Sequence, residues 1–315
     1  GSEMCIRDSN QMNRRNFSKL AAISGIFGLA PSQIFSSVKS SPDLKISLAQ
    51  WSLNKAIKAG EISGLDFAKK SRSFGIEGIE YVSGLYTTHS NLLEKMTMNK
   101  LSNELLKRSN DYGIDNVLIM IDGQGSLASS NQKERLQAID NHKKWIDFAL
   151  KLSCETLRLN LSGEKNLDKW TDNSVKSLSA LSEYNKNINV VVENHGGLSS
   201  KGKYLANVMS KVNLDNCGTL PDFGNFCLDG SPKKCNKWYD IYQGVEELMP
   251  FAHAVSAKSY DFDNSGNETK IDYSKMIDIV KKAGYKGYVG IEYEGSRLSE
   301  DEGIIATKKL LEKLI

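Results

Sequence analysis

Along most of the chain, short apolar runs alternate with longer segments whose apolar residues recur every three or four positions. The short runs are LKISLAQW from Leu44, IEGIEYV from Ile76, NVLIMI from Asn116, ETLRLNL from Glu155, INVVVEN from Ile188, CGTLPDF from Cys217, AHAVSAK from Ala252 and GYVGIEY from Gly287. Apolar runs this short and unbroken predict strands buried on both faces. The periodic segments predict amphipathic helices near Gly64 to Phe74, Asn99 to Tyr112, Gln132 to Lys151, Asp168 to Tyr184, Lys203 to Lys211, Lys237 to Glu247, Asp272 to Ala283 and Glu300 to Leu314. Gly75, Gly113 and Gly284 stand where a helix end favours glycine.

Strands buried on both faces need a helix layer around a parallel sheet, and eight strand–helix units in about 270 residues predict an α/β chain forming a single-domain (β/α)8 TIM barrel. An open doubly wound sheet would carry a glycine-rich phosphate turn after its first strand, where LAQWSLNKAIKAG stands instead.

The barrel is expected over residues 41–315. Residues 1–11, GSEMCIRDSNQ, read as adaptor sequence ahead of Met12, and residues 12–40 as a leader and linker. In that leader Arg14, Arg15, Phe17 and Lys19 precede the apolar AAISGIFGLA, a run too short to span a bilayer. The pair of arginines resembles a twin-arginine export signal, so a periplasmic location is expected. The first 40 residues hold five basic and two acidic side chains; removing them from totals of 41 and 38 leaves 36 of each sign. A neutral domain lacks the basic footprint of a nucleic-acid or anionic-membrane binder. No span is expected in the mature chain, and oligomerisation is left open. Cys154 and Cys217 fall in or beside apolar strands and read as buried thiols, whereas Cys227 and Cys235 bracket a polar loop that a disulfide could staple after export.

Barrel active sites lie at the carboxyl ends of the strands. The polar residues there are Gln50 and Trp51, Glu80, Asp122, Arg158 and Asn160, Glu193 and His195, Asp222 and Asn225, Ser256 and Lys258, and Glu292 and Glu294. So many carboxylates around one mouth repel each other unless a cation joins them or their pKa values rise. Oxygen ligands suit a hard divalent ion such as Mn²⁺ or Mg²⁺, and an added imidazole would extend the choice to Co²⁺ or Zn²⁺. Asp122, Gln124 and Glu294 read as loop residues, His253 as structural by strand parity, and His89 and His142 carry no assigned function.

IEYV, VVVEN, PDFGN, SAKSYDF and YVGIEYEG, on the second, fifth, sixth, seventh and eighth strands, resemble the xylose-isomerase-like barrel superfamily in its sugar phosphate isomerase/epimerase branch. The resemblance covers roughly Lys45 to Ile315. It implies a divalent metal held by Glu193, Asp222, the residue at Ser256 and Glu292. Family members carry histidine at the third of these positions, and serine there is a departure: either three carboxylates and water hold the metal, or His195 moves in, or metal binding is weakened.

The same resemblance implies α-proton chemistry on a small carbohydrate through an enediolate, with Glu193, Glu292 and Lys258 as the catalytic groups. Substrate contacts are expected from Glu80, Arg158, His195, Asn225 and Trp51. Three of them have a plainer reading: a rim salt bridge for Glu80, a counter-ion to Glu193 for Arg158, core packing for Trp51. The loops after the last two strands, SYDFDNSGNE and EGSRLSEDEG, are acidic, which favours a sugar without phosphate. A 3-keto-glycoside lyase or hydratase and a non-catalytic exported sugar-binding barrel are the alternatives.

Overall fold

The computed structural model describes residues 44–88, 92–231 and 234–315; the expected leader and His89 lie outside them. Strands β1 (Leu44–Ala49), β2 (Gly78–Val82), β3 (Asp115–Met120), β4 (Thr156–Leu159), β5 (Asn189–Glu193), β6 (Cys217–Leu220), β7 (Cys227–Ser231), β8 (Lys234–Trp238), β9 (Val255–Ser259) and β10 (Gly287–Tyr293) follow in that order. Eight of them form one parallel sheet in the order β6-β5-β4-β3-β2-β1-β10-β9. Its ends meet through parallel bridges from Thr219 to Ala252 and from Asp222 to Ser256. Ser256 N donates to the Pro221 carbonyl at 3.0 Å and Phe223 N to the Ser256 carbonyl at 3.1 Å. Pro221 has no N–H to extend the ladder, so β6 stops at Leu220 while its carbonyl still serves the closure.

Helices α1 (Asn54–Ala59), α2 (Phe67–Ser73), α3 (Leu92–Lys95), α4 (Met98–Asp111), α5 (Gln132–Lys151), α6 (Leu167–Tyr184), α7 (Gly202–Val212), α8 (Ile241–Leu248), α9 (Tyr273–Lys282) and α10 (Glu300–Leu314) complete the (β/α)8 barrel. β2, β4, β6 and β9 are buried at every residue, as the unbroken apolar runs predict. Side-chain caps from Thr97, Asn131, Asn166, Asp240, Asp272 and Ser299 satisfy first-turn N–H groups and fix where the helices start. Gly75, Gly113 and Gly284 follow their helices at φ of 68°, 61° and 73°, a backbone state that costs other residues more.

The expected helix from Lys237 is corrected. Lys237 and Trp238 belong to β8, which pairs with β7 in an antiparallel hairpin, and α8 starts only at Ile241 after its Asp240 cap. Cys227 and Cys235 are joined by a disulfide across this hairpin, and Cys154 and Cys217 are free and buried. The turn after β1 also differs from expectation, forming a 3-10 turn at Gln50–Leu53 and then α1. Among the described residues no helix is long and apolar enough to cross a membrane.

Candidate active site

Alternation along each strand decides which side chains enter the barrel. Ser256 and Lys258 share one face of β9, and Gly290 and Glu292 share one face of β10. Ser47 of β1 reaches Glu80 of β2, and Arg158 of β4 reaches Glu193 of β5. At the carboxyl end of this interior, oxygens of Glu193, Asp222 and Glu292 lie within 4.8 Å of one another. All three residues are buried.

Each carboxylate is held by neighbours of known sequence position. Asp222 Oδ1 accepts from the backbone N–H groups of Gly224 and Asn225, both at 2.8 Å. Asn194 fixes the Asp222 backbone from both sides, its Oδ1 accepting from Asp222 N at 2.7 Å and its Nδ2 donating to Asp222 O at 3.0 Å. Glu193 Oε1 accepts from Asn225 Nδ2 at 2.7 Å, and Glu193 Oε2 lies 2.9 Å from Arg158 Nε. That second approach is an ion pair without hydrogen-bond alignment, since neither atom has a hydrogen-bond partner among the described residues. Glu292 Oε1 accepts from Lys258 Nζ at 2.8 Å.

Ser256 Oγ stands between Asp222 Oδ2 at 2.7 Å and Glu292 Oε2 at 2.9 Å. A hydroxyl has one proton and can donate to only one of them. Without a cation, the other carboxyl must carry its own proton and donate it to Ser256. Asp222 suits that part: burial pushes it up to about 7, helped by Glu193 and Glu292, although Lys258 pulls the other way. Burial also opposes the charge of Glu292, but Lys258, together with Arg158 and the Ser256 hydroxyl, holds that carboxyl below its usual range.

Two cations serve this acidic interior. Burial opposes the charge of Lys258, yet Asp222 and Glu292 hold its pKa well above that of a free lysine; Nζ also lies 3.7 Å from Asp222 and 3.5 Å from Glu294. Arg158 is likewise buried and kept charged by Asp122 and Glu193. Its Nη1 donates to Asp122 Oδ1 at 2.8 Å, and the same oxygen accepts from Asn160 Nδ2 at 3.0 Å. Asp122 and Glu294, read from sequence as loop residues, therefore belong to the charged network. Trp51 Nε1 also donates to Glu294.

A cavity of about 270 Å³ opens on these groups, lined by Trp51, Val82, Gly84, Thr88, Asp122, Gly123, Arg158, Glu193, His195, Glu292 and Glu294. Trp51 thus faces the cavity as well as packing against the core. His195 is exposed at the mouth and outside the carboxylate trio. Asn225 does not line the cavity and instead positions Glu193. His253 lies at the other end of the barrel, where its ring fills the space a Cβ on Gly218 would need.

Glu80 is not a rim residue. It is 1% exposed, deep in the barrel, its Oε1 accepting from Ser47 Oγ at 2.6 Å and its Oε2 without a hydrogen-bond partner. Burial, only partly offset by Ser47, pushes it up to about 8. A carboxyl whose folded pKa lies above its unfolded value stabilises the fold least at high pH, so the stability cost of Glu80 grows as pH rises from about 4.5 to about 8. Glu80→Gln, which mimics the protonated acid, should flatten that decline and be more stable than the parent at pH 8 by roughly 2–4 kcal/mol, measured by urea unfolding across pH.

Glycine at 290 makes room for Glu80, because a Cβ there would sit 2.2 Å from Glu80 Oε1. Gly290→Ala is accordingly expected to lower stability by about 1–3 kcal/mol, read in the same unfolding assay; an unchanged midpoint would show that Glu80 moves aside at no cost. Ser47 and Gly290 both lie inside their strands, away from the polar strand ends.

The chain is similar to proteins of several kinds. Residues 68–314 match the family described as "Xylose isomerase-like TIM barrel". A C-glycoside deglycosidase alpha subunit from Arthrobacter globiformis is 38% identical over 66 residues, which is 20% of this chain and 19% of that protein. The match thus spans about a fifth of that relative's length. Among solved structures, a D-tagatose 3-epimerase-like protein superposes with a TM-score of 0.64 at 16% identity, over 86% of this chain and 96% of the other. The 3-keto-D-glucoside 4-epimerase YcjR from E. coli gives 0.62 at 10% identity, over 86% and 99%. At such identities these structures share the fold. With the eight-stranded parallel sheet and its inward carboxylates already in place, the match over residues 68–314 makes the chain a member of the xylose isomerase-like TIM barrel family.

Proposed function

We propose that the chain is a divalent-metal-dependent sugar isomerase or epimerase that moves a proton next to a carbonyl on a sugar or keto-sugar without phosphate. The observation that carries this reading is the trio Glu193, Asp222 and Glu292 converging within 4.8 Å at the barrel mouth. The residues fit a hard cation. Glu193 Oε2 has no hydrogen-bond partner among the described residues, and one Ser256 proton serves two carboxyls. Glu193, Asp222 and Glu292, with the Ser256 hydroxyl, would hold the ion. An all-oxygen set favours Mn²⁺ or Mg²⁺ over Co²⁺ or Zn²⁺. Bound there, such an ion supplies polarisation of the substrate carbonyl.

The chain's own residues account for the proton. β5 and β10 stand three strands apart around the barrel by way of β6 and β9, so Glu193 and Glu292 approach a sugar from different sides. One carboxylate takes the α proton; the C–H bonding pair forms the carbon–carbon double bond and the π pair of the carbonyl moves onto its oxygen, giving an enediolate. Lys258, charged and 2.8 Å from Glu292, stabilises negative charge on oxygen or hands a proton back. Return to the opposite face of the same carbon is epimerisation; return to the adjacent carbon is aldose–ketose isomerisation.

A second reading is favoured by the C-glycoside deglycosidase relative. With a leaving group β to the carbanion, the same proton removal expels it, giving a 3-keto-glycoside lyase. Product analysis by NMR on ketoses and 3-keto-glycosides separates the readings. Inverted or isomerised sugar supports the first and an unsaturated sugar with free aglycone the second; no turnover of any of them would leave a binding barrel. Export belongs to the same proposal, favoured by the Cys227–Cys235 disulfide, since such bonds persist in oxidising compartments.

A further inference from the structure

The carboxylate cavity is not the larger opening at this end of the barrel. A second cavity of about 660 Å³ adjoins it and shares Asp122, Gly123 and His195 with it. Ligand pockets commonly measure about 300–1,000 Å³. The first cavity, at about 270 Å³, is thus sized for one small ring, and the second has space for another ring beside it.

The walls of the second cavity say what that ring should carry. Asn160 lines it; Nδ2 is committed to Asp122, while the buried Oδ1 has no hydrogen-bond partner among the described residues. His142, 3% exposed, also lines it. Its Nδ1 faces the Ala138 carbonyl at 2.7 Å and must therefore carry the proton, leaving Nε2 as a lone-pair acceptor. Burial lowers the pKa of His142 and keeps the ring neutral. No hydrogen bond from Nε2 to a described residue is formed. Trp170, almost fully buried, supplies an aromatic surface on the same wall. A buried amide oxygen and an imidazole nitrogen, neither with a donor among the described residues and both beside an aromatic ring, call for hydroxyl groups on a ring.

We infer that the substrate is a glycoside whose second ring, bearing hydroxyl donors, occupies the cavity between the β3, β4 and β5 loops and hydrogen-bonds to Asn160 and His142. This rests on the sugar-directed reading above and names its substrate class. The second ring can be a phenol or a second sugar, and both present the same donors.

The test is calorimetric binding of methyl 3-keto-β-D-glucoside, 4-hydroxyphenyl 3-keto-β-D-glucoside and 3-ketocellobiose to the full chain. At least one two-ring compound should bind tenfold or more tightly than the methyl compound, and which one does identifies the ring as phenol or sugar. Ser162 is exposed on the cavity wall. Ser162→Trp should abolish the preference while leaving the Kd of the methyl compound within twofold, and His142→Phe should reduce the preference about fivefold or more. Equal affinities in the parent chain, no measurable binding of any of the three, or an undiminished preference in Ser162→Trp would overturn the inference. Deuterium exchange on the methyl compound separates it from the catalytic reading. Preference without exchange removes the chemistry and keeps the subsite; exchange without preference does the reverse.

Discussion

Glu292→Gln is expected to slow α-proton exchange into sugar substrates by about 10²–10⁴-fold, the usual worth of a positioned acid or base. The amide keeps the size of the side chain but cannot take up a proton. The variant should fold, because Lys258 retains Asp222 at 3.7 Å and Glu294 at 3.5 Å as counter-ions. Glu193→Gln should cause a loss of similar size. There Arg158 keeps Asp122 at 2.8 Å, and Asn225 must rotate to suit an amide. Proton NMR in D2O measures both rates, with thermal unfolding as the control for folding. If either variant exchanged at the parental rate, that carboxylate would lose its place in the proton path. If both did, the trio would be a structural acid cluster.

Lys258→Met should be the most destabilising single change in the site. The ammonium is buried, 2.8 Å from Glu292 and within 3.7 Å of Asp222. Its removal leaves acids in the barrel without their cation, a loss of about 3–5 kcal/mol for a buried partner. The pH dependence has a definite sign. Without Lys258 the folded-state pKa of Glu292 rises above its unfolded value and that of Asp222, already raised, climbs further, so the folded chain holds more protons. Stability then falls as pH increases. The deficit should be small near pH 5 and full near pH 8 in urea titrations. Added Mn²⁺ should recover part of it by binding only the folded state. A deficit independent of pH would mean that the lysine stem, through packing, matters more than its charge.

The eight strands were legible because burial on both faces leaves an unbroken apolar run, the strongest short-range signal a sequence carries. The trio was legible in two steps: Glu193, Asp222 and Glu292 each stand at the end of such a run, and the family resemblance picked them, with Ser256, out of the larger set of polar strand ends. What escaped notice depends on neighbours distant in the chain. Asp122 and Glu294 look like loop residues until Arg158 and Lys258 arrive from other strands. Glu80 looks like a rim residue until Ser47 and Gly290, 33 and 210 positions away, are seen to enclose it. The β7–β8 hairpin was hidden because its strands are short and polar, and its Asp229-Gly230 pair, which reads as a turn, lies inside β7 where the pairing register shifts. His142 showed only a helical position in sequence; its unpartnered nitrogen appears once the β3 loop folds beside α5.

Proton transfer next to a carbonyl at the carboxylate trio is read out by solvent-deuterium exchange. The purified chain, loaded with Mn²⁺, would be incubated in D2O with ketoses and 3-keto-glycosides and followed by NMR. Proton transfer at the trio should place deuterium at the carbon beside the carbonyl of at least one sugar, dependent on Glu193 and Glu292. Metal bound at one ion per chain with no deuterium in any of them would contradict it.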